Sequence, residues 1–363
     1  EQGSRAQIRA YLDALDAELA FAPPCPAPAE NVAVFVGGGT PTVLTALDLA
    51  RLGTLIQRWV GGTPGEWTVE MAPSTVKADK LAALREAGVT RASLGVQSFS
   101  DAWLERLGRR QSVRQAEHAY GLIREHRFAS VNLDLMFALP GQTREDWERE
   151  LETAAQWCPD HLSTYCLTPE EDTALWAKLA AGTFRRDEAS EAARYRETWQ
   201  WLSGRGWEQY EVSNFARSGH VCRHNLNVWQ MGDWLGVGPS AASQWQGWRF
   251  QNPANLEVWA ESLPLRDAAQ IPQAGHRDRH RLDDVTLAAD AIIFGLRLNA
   301  GIDLDDLQRR FPAFPWDGLT KRLTRWEGDG LVVRHGSGCR LTEEGRLRAD
   351  AIGLAVLEAA ESK

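Results

Sequence analysis

The sequence has few cysteines and no long apolar run. Only five of its 363 residues are cysteine, and they are scattered and odd in number. Scattered cysteines do not make a disulfide framework, so the sequence predicts a reducing compartment, the cytoplasm. A membrane-spanning helix needs about 18 or more consecutive apolar residues, and the sequence contains no such run.

An excess of positive charge is also absent. The chain has 49 Asp and Glu against 40 Lys and Arg, which gives a net charge of −9. Proteins that bind nucleic acid need a basic surface to neutralise phosphates, so the composition argues against such a partner. At 44% hydrophobic residues, the chain can bury a large core and is long enough for two domains.

A glycine-rich turn directly after an apolar run is the most informative feature that is present. Residues 32–36 (VAVFV) predict a buried parallel strand, and the turn at 37–41 (GGGTP) follows it. Adjacent glycines leave backbone N–H and C=O groups accessible. Ligands of parallel α/β folds bind beyond the carboxyl ends of the strands. The turn is therefore a candidate ligand site, with a purely structural turn as the alternative.

Further apolar runs follow, each ending in a small or polar residue and each followed by helix-like spacing. They are 67–70 (WTVE), 92–99 (ASLGVQSF), 131–136 (VNLDLM) and 161–168 (HLSTYCLT). Strands that alternate with amphipathic helices predict βα units and a mostly parallel sheet. The pattern suits an α/β fold with an open or partial (β/α) TIM-type barrel. A flat doubly wound sheet is the alternative, which periodicity alone does not separate from the barrel.

Domain boundaries follow from changes in composition. The barrel is predicted over residues 1–170, with its completion and a glycine-rich, aromatic loop region over 171–263. A polar stretch at 264–282 predicts a linker, and 283–363 predicts a second domain.

Helices and a hairpin are predicted in the C-terminal domain. Helical spacing is present at 287–298 and 319–328, and short strands are predicted at 331–333 and 340–342. The two short strands resemble the strands of a wing in this C-terminal domain. Its helices carry mixed charge, so contact with DNA is not expected.

Four short phrases in combination carry a family resemblance: GGGTP at 37–41, GVQSFS at 95–100, NLDLM at 132–136 and RHNLN at 223–227. Together they resemble the radical S-adenosylmethionine (SAM) family of oxygen-independent coproporphyrinogen III oxidases. The closest branch is its haem chaperones, the HemW-like proteins. The resemblance implies a radical SAM barrel with a C-terminal winged-helix-like domain. It also implies three cofactors, namely SAM, a [4Fe–4S] cluster and haem.

The cysteines depart from the family pattern. The family has a Cys-x3-Cys-x2-Cys motif just upstream of the GGGTP strand, whose thiolates hold the cluster. None of the five cysteines here has that spacing: Cys25, Cys158, Cys166, Cys222 and Cys339. No metal ligand is assigned in this chain. The cluster cysteines and the first barrel strand are expected upstream of Glu1, and a cluster-less relic is the alternative.

The resemblance assigns SAM contacts to eight residues: Gly38, Gly39, Thr40, Glu70, Gln97, Arg109, Asp134 and Thr168. The turn would meet the methionyl end, and the arginine would bind its carboxylate in bidentate fashion. The three acceptors at strand ends would meet ribose hydroxyls or the ammonium, and the second threonine would lie near adenine. As alternatives, the arginine is a solvated surface charge and the acceptors are helix N-caps.

His224, in the run RHNLNVW at 223–229, is the candidate of the second half. The haem-chaperone branch carries His-Asn-x-x-Tyr-Trp there, and this chain has Val228 in place of the tyrosine. A neutral imidazole is a good axial ligand of haem iron. The alternative is a histidine whose ring nitrogens bond the nearby backbone. Cys222 is a second candidate ligand, with a buried thiol as its alternative.

The resemblance implies two different functions. The first is a chaperone that binds haem or porphyrin and passes haem to a target protein. The second is an enzyme that oxidatively decarboxylates two propionates of coproporphyrinogen III, after a SAM-derived radical abstracts a β-hydrogen. The HNLNxW signature favours the chaperone, and no catalytic residue is assigned. A non-catalytic binding scaffold is the third reading.

Overall fold

The structure of the protein, a computed structural model, describes residues 4–167, 187–263 and 277–361. Its helices are α1 (Arg5–Phe21), α2 (Ala46–Val60), α3 (Ala78–Glu86), α4 (Asp101–Arg106), α5 (Val113–Glu125), α6 (Arg144–Trp157), α7 (Glu188–Ser203), α8 (Arg223–Trp229), α9 (Leu256–Ser262), α10 (Asp284–Arg297), α11 (Leu304–Arg310), α12 (Trp316–Gly328), α13 (Glu343–Arg346) and α14 (Ala349–Glu361).

The strands of the described ranges are β1 (Ala33–Val36), β2 (Glu66–Met71), β3 (Arg91–Gln97), β4 (Ser130–Phe137), β5 (His161–Cys166), β6 (Glu208–Gln209), β7 (Asn214–Ala216), β8 (Ala242–Trp245), β9 (Trp248–Gln251), β10 (Arg277–Arg281), β11 (Ile302–Asp303), β12 (Val332–His335) and β13 (Gly338–Leu341). None of the helices in the ranges described above is long and apolar enough to cross a membrane.

Several helices begin where the sequence provides a capping box. At the start of α1, α2, α5 and α6, the side chain of the N-cap Ser or Thr accepts from the backbone N–H of the third helical residue. The side chain of that third residue accepts in turn from the backbone N–H of the N-cap residue. The N-cap residues are Ser4, Thr45, Ser112 and Thr143. These reciprocal bonds satisfy amides that have no partner inside the helix. Local sequence therefore sets where these helices start.

Seven strands form one mixed sheet in the order β1-β2-β3-β4-β5-β7-β6. β1 pairs parallel with β2, and β4 pairs parallel with β5. β7 pairs antiparallel with both β5 and β6. Parallel neighbours need a crossover, which the intervening helices provide. The predicted α/β fold with a mostly parallel sheet is confirmed.

By contact density the chain divides into two compact units. Unit 1 comprises residues 1–69, 77–91 and 222–363, and unit 2 comprises 70–76 and 92–221.

In unit 2, strands β3 to β5 carry apolar and polar side chains on opposite faces, because side chains alternate along a strand. Leu94, Leu133 and Leu162 are fully buried on one face. On that face Phe137 of β4 packs against Trp147 of α6, with ring centroids 5.3 Å apart. The other face is polar: Ser93, Asn132, Asp134, His161 and Ser163. A polar interior face is suited to a ligand and not to helix packing.

Unit 1 contains β1, most of β2, and the C-terminal part of the chain. Its helix α1 packs on α2 and α9 through buried side chains that include Leu12, Leu15 and Trp259. Strands β8, β9 and β10 form an antiparallel sheet. Strand β10 lies within 264–282, the range that the sequence predicts as a linker. It pairs with β9 at Arg277–Gln251 and Arg281–Trp248.

The C-terminal part of unit 1 has helices α10 to α14 and a three-stranded sheet, β11-β13-β12. β12 and β13 pair antiparallel and form the predicted wing. Ile292, Leu319, Leu323 and Val356 are in its buried core. The predicted winged-helix-like arrangement is therefore confirmed, with helices where apolar spacing places them.

Candidate functional site

The turn after β1 borders open space. Gly38 has a φ of 79°, a left-handed conformation that glycine adopts without steric cost. Among the described residues, no neighbouring heavy atom lies within 4 Å of where a Cβ on Gly38 or Gly39 would stand. The backbone of this turn is therefore accessible from that side. Thr40 precedes the 3₁₀ turn Pro41–Val43 and is half-buried.

Lys80 of α3 holds the other side of this turn. Its Nζ donates to the backbone oxygen of Thr42 over 2.5 Å, and both residues are buried. Burial lowers the pKa of Lys80 below its ordinary value. The sequence gives no local sign of this contact, because the two residues lie 38 positions apart.

His224 lies on α8 with its ring against β1. The imidazole stacks on the ring of Phe35, with centroids 4.8 Å apart and planes 27° apart. Burial lowers the pKa of His224, and the negative charge of Glu66 opposes that effect. Within the described residues, neither ring nitrogen makes a hydrogen bond. The loop is therefore not held by bonds from this ring, which was the structural alternative.

Glu66 of β2 holds the start of α8. Its Oε1 accepts from the backbone N–H of Arg223 (2.8 Å) and of His224 (3.2 Å), and from Sγ of Cys222 (3.6 Å). The first amides of a helix have no partner within the helix, so this carboxylate acts as a cap from another strand. Arg91 Nε lies 4.0 Å from the Oε2 of Glu66.

Arg223 ties α8 to the segment before β1. Its guanidinium donates to the backbone oxygens of Asn31 (2.8 Å) and Glu30 (3.3 Å). Gly65 is required beside it, since a Cβ there would stand 1.8 Å from the Glu30 oxygen. Arg223 and Glu66 therefore fix the backbone at the start of α8, which carries His224.

Cys222 is a buried, hydrogen-bonding thiol. It is 2% exposed, and its thiol donates to Glu66. Burial raises its pKa above the ordinary thiol value, which disfavours the thiolate that binds metal. Cys222 therefore matches the alternative given for it in the sequence analysis, a buried thiol.

Thr68 lies on the same face of β2 as Glu66, and its buried hydroxyl has no hydrogen-bond partner among the described residues. In the β1–β2 register Thr68 lies opposite Phe35, and Glu66 lies opposite Ala33. An unpaired buried hydroxyl costs about 1–3 kcal/mol, so a polar group of a ligand would be stabilised there. The face beside His224 therefore fits an aromatic ligand with polar substituents.

Asp134 lies on the polar face of unit 2. Its carboxylate accepts from Nδ2 of Asn132 (2.8 Å) and Oγ of Ser93 (3.4 Å). Burial raises its pKa, while hydrogen bonds from Asn132, Ser163 and Ser93 oppose the shift. Polar groups held inside a sheet need a complete set of partners, and these side chains supply it.

Asn132, which the sequence does not single out, connects this carboxylate to His161. Its Oδ1 accepts from Nδ1 of His161 (2.7 Å) and from Oγ of Ser163 (3.1 Å). Nε2 of His161 lies 3.0 Å from the hydroxyl of Tyr210. An amide oxygen can only accept, so Nδ1 of His161 donates to Asn132, whereas the tyrosine hydroxyl can either donate to Nε2 or accept from it. Both ring nitrogens of His161 are thus used within this network.

Gln97 ends β3 in an unusual backbone conformation. Its φ is 69°, which is uncommon for a residue other than glycine. Its Nε2 lies 3.1 Å from where a Cβ on Gly95 would stand, so a larger residue at 95 would displace it. Gln111 holds the same stretch by donating to the oxygens of Gly95 (2.8 Å) and Val96 (2.9 Å).

Glu150 of α6 fixes the loop that follows Gln97. Its carboxylate accepts from Oγ of Ser98 (2.7 Å) and from the backbone N–H of Phe99 (2.6 Å). Both Ser98 and Glu150 are buried. Burial raises the pKa of Glu150, and the two hydrogen bonds oppose the rise.

The helix-cap alternative does not apply to Glu70, Gln97 and Asp134. The helices that follow their strands have other N-cap residues: Lys77, Ser100 and Thr143. Glu70 is half-buried at the end of β2.

Two of the predicted SAM residues differ from the others in placement. Arg109 is exposed in the turn after α4, and its backbone N–H donates to Leu104 over 2.9 Å. Thr168 lies outside the described residues. The glycine turn and His224 belong to unit 1, whereas Glu70, Gln97, Arg109 and Asp134 belong to unit 2.

The described residues do not provide a cluster site. In ranges 4–167, 187–263 and 277–361, no group of three or more His, Cys, Asp or Glu could hold a metal ion. None of the five cysteines forms a disulfide, and Cys222 and Cys339 are buried. The residues present therefore do not fit a [4Fe–4S] cluster.

The mixed sheet, the glycine turn and the winged domain define a radical SAM protein. The radical SAM superfamily model matches residues 28–154, and the HemN C-terminal domain model matches 282–348. Coproporphyrinogen III oxidase (HemN) from Escherichia coli, a solved structure, superposes with a TM-score of 0.77 at 24% identity. The superposition covers 97% of this chain and 84% of that one. It confirms the fold.

Curated relatives identify the family within that class. "Radical S-adenosyl methionine domain-containing protein 1, mitochondrial" of Mus musculus is 34% identical over 89% of this chain and 75% of its own length. The "Heme chaperone HemW" of Bacillus subtilis is 30% identical over 94% and 89%. The protein of that name from Mycobacterium tuberculosis is 34% identical over 88% and 79%. The chain belongs to the HemW-like family of radical SAM proteins, as its sequence phrases predict.

Proposed function

We propose that this protein is a haem chaperone that binds haem through His224 and passes it to an acceptor protein. The observation that carries the proposal is the His224 ring, which stacks on Phe35 and has no hydrogen bond to the described residues. Relatives named heme chaperones, similar over most of the chain, support the same function.

The residues around His224 suit ligation of haem. Haem supplies an iron atom with axial positions for a protein ligand. Burial keeps His224 neutral, so that a nitrogen lone pair is available. Phe35 restricts rotation of the ring, while Glu66 and Arg223 fix the backbone that carries it. The unpaired hydroxyl of Thr68 offers a donor to a polar group of the ligand.

SAM binding is part of the same proposal, for the glycine turn of unit 1 and, separately, for Gln97, Glu70 and Asp134 of unit 2. SAM supplies a sulfonium that can be cleaved reductively. The open side of the turn gives a ligand access to backbone groups. The Asn132 amide holds the Asp134 carboxylate as an acceptor. Since the described residues do not fit a cluster, no cluster-dependent step is assigned to them.

The proposed setting is a reducing one, the cytoplasm, and the proposed partner is a haem-accepting protein. Support for the compartment comes from the five cysteines, none of which is in a disulfide. The negative net charge supports a partner other than nucleic acid.

Haem titration followed by absorbance tests the ligand assignment. We expect a saturable complex in the wild-type chain. His224→Ala should weaken haem binding by about tenfold, or about 1.4 kcal/mol, and change the absorption maximum. His335→Ala is the matched control, because that histidine is exposed on the wing. An unchanged spectrum and affinity in His224→Ala would show that the ligand assignment is wrong.

The requirement for iron distinguishes the haem chaperone from the oxidase alternative. Coproporphyrinogen III contains no iron, whereas ligation by His224 requires it. A chaperone should therefore bind haem more tightly than iron-free protoporphyrin, and His224→Ala should abolish that difference. Equal affinity for the two in wild type would favour a porphyrin-substrate site.

A further inference from the structure

The carboxylate of Glu66 is the point where three consecutive residues meet the β1–β2 pair. It accepts from the thiol of Cys222 and from the backbone N–H groups of Arg223 and His224. Glu66 is 7% exposed and lies 158 positions from His224 in the sequence. It therefore joins the helix that carries His224 to strand β2 directly.

Helix α8 depends on this cap. It has seven residues, and its N-cap residue, Cys222, makes no side-chain cap bond. A helix this short is not stable by itself, so its position is set by tertiary contacts. The His224 amide that bonds Glu66 is attached to the Cα that bears the imidazole, so a shift of that bond shifts the ring.

The same strand pair also places the surface on which the ring lies. Glu66 lies opposite Ala33 in the register, and Phe35 lies opposite Thr68. Since side chains alternate along a strand, Glu66, Thr68 and Phe35 share one face of the pair. The anchor of α8 and the stacking partner of His224 are thus held in fixed register by adjacent parallel strands.

A buried carboxylate is a costly anchor unless it is well paired. Arg91 provides a positive charge, 4.0 Å from Oε2, on the side away from the three donors. A short local cap such as Asp or Ser at position 222 would satisfy the helix amides equally. The use of a buried glutamate instead implies that the reach of its side chain from β2 to α8 matters. Unlike a local cap, a cap from β2 connects α8 directly to the strand that pairs with β1.

We propose that Glu66 is a positioning residue for the His224 imidazole, holding it over Phe35 in the orientation that binds haem iron. This inference rests on the proposed haem ligation. In this role Glu66 acts through the backbone of α8, whose first amides it accepts from.

Two conservative substitutions at Glu66 distinguish the effect of side-chain length from the effect of charge. Glu66→Gln keeps an acceptor oxygen at the same distance and removes the charge. Glu66→Asp keeps the charge and withdraws the acceptor by about 1.5 Å, one carbon–carbon bond. A positioning role predicts that Gln retains the wild-type Soret maximum and affinity within about threefold. Asp should weaken haem binding by about tenfold and move the maximum toward that of His224→Ala.

A matched control removes an equivalent cap elsewhere. Asn255 accepts from the amides of Glu257 and Val258 at the start of α9, another seven-residue helix of unit 1. Asn255→Ala should leave haem affinity and spectrum unchanged. Circular dichroism and thermal melting of every variant establish that it is folded.

A double variant shows whether Glu66 acts through His224. In the His224→Ala background, Glu66→Asp should cause no further loss of haem affinity. The proposal is overturned if Asp retains the wild-type spectrum, if Gln is the more damaging change, or if the Asp loss is undiminished in the double variant. If His224→Ala alone changes nothing, the proposed ligation fails and this inference fails with it. A changed spectrum in His224→Ala with an unaffected Asp variant overturns only the role of Glu66.

Discussion

At the scale of single residues, the chain holds two of the predicted site residues against neighbouring side chains. His224 lies on Phe35, and Asp134 is held by Asn132. In both cases the functional group is identified by a family phrase, and its support is a buried polar or aromatic residue. Asn132 has the more demanding environment of the two supports, because a buried amide must have all its hydrogen-bonding groups satisfied.

Alanine substitutions at Gly38 and Gly39 test the backbone conformation of the glycine turn. Gly38→Ala places a Cβ in a left-handed conformation and should cost about 1–2 kcal/mol of unfolding free energy. Gly39→Ala places a Cβ that meets no atom of the described part of the chain within 4 Å, and it should leave stability within about 0.5 kcal/mol of wild type. Urea unfolding measures both. Equal losses would contradict the difference in backbone conformation.

Asn132→Leu tests the polar network of unit 2. The substitution removes the partner of Asp134 and His161 and leaves their polar atoms buried. Loss of stability should be about 2–4 kcal/mol, as expected for several unsatisfied groups. Leu135→Ala, on the apolar face of the same strand, gives the cost of an ordinary core change for comparison. A neutral effect of Asn132→Leu would mean that water or a rearranged side chain replaces the amide.

At the scale of elements, capping boxes and apolar spacing are sufficient to predict where many helices start and where the wing strands lie. Thr143 before α6 and the strands β12 and β13 are such cases, because their signals are local. Strand β10 is not predicted, because its Arg-rich sequence is polar and becomes a strand only by pairing with β9.

The candidate site is predicted only in part for the same reason. His224 and Asp134 are assigned roles through recognisable phrases. Glu66 lies in no such phrase, and Asn132, the first residue of NLDLM, has no predicted role. The bonds of Glu66 to α8 and of Asn132 to His161 span 158 and 29 positions. Such pairings depend on the register of strands, which no local pattern specifies.

Glu150 gives the loop after β3 a pH-dependent stability. Its pKa is raised in the folded state by burial, so the folded chain binds its proton more tightly than the unfolded chain. Stability should therefore fall as pH rises from the ordinary glutamate value through the raised one. Glu150→Gln removes this titration. The stability difference, wild type minus Gln, should become less favourable to wild type over that range, as measured by urea unfolding at several pH values. The opposite slope would contradict the direction of the shift.

At the scale of the whole molecule, this 363-residue chain combines a radical SAM fold with cysteines that do not converge. Cys25 lies before β1, Cys222 lies at the start of α8, and Cys339 lies in the wing. Anaerobic reconstitution of this chain with iron and sulfide should leave no four-iron cluster by iron analysis and visible absorbance. A stoichiometric cluster would contradict the separation of these thiols.

The central claim is that the imidazole of His224 is the protein ligand of haem iron. It is tested most directly by chemical rescue, in which imidazole is added to the haem complex of His224→Ala and absorbance is recorded. We predict that the variant has a shifted Soret maximum and that imidazole restores the wild-type maximum saturably. A variant spectrum identical to wild type before any imidazole is added would contradict the claim.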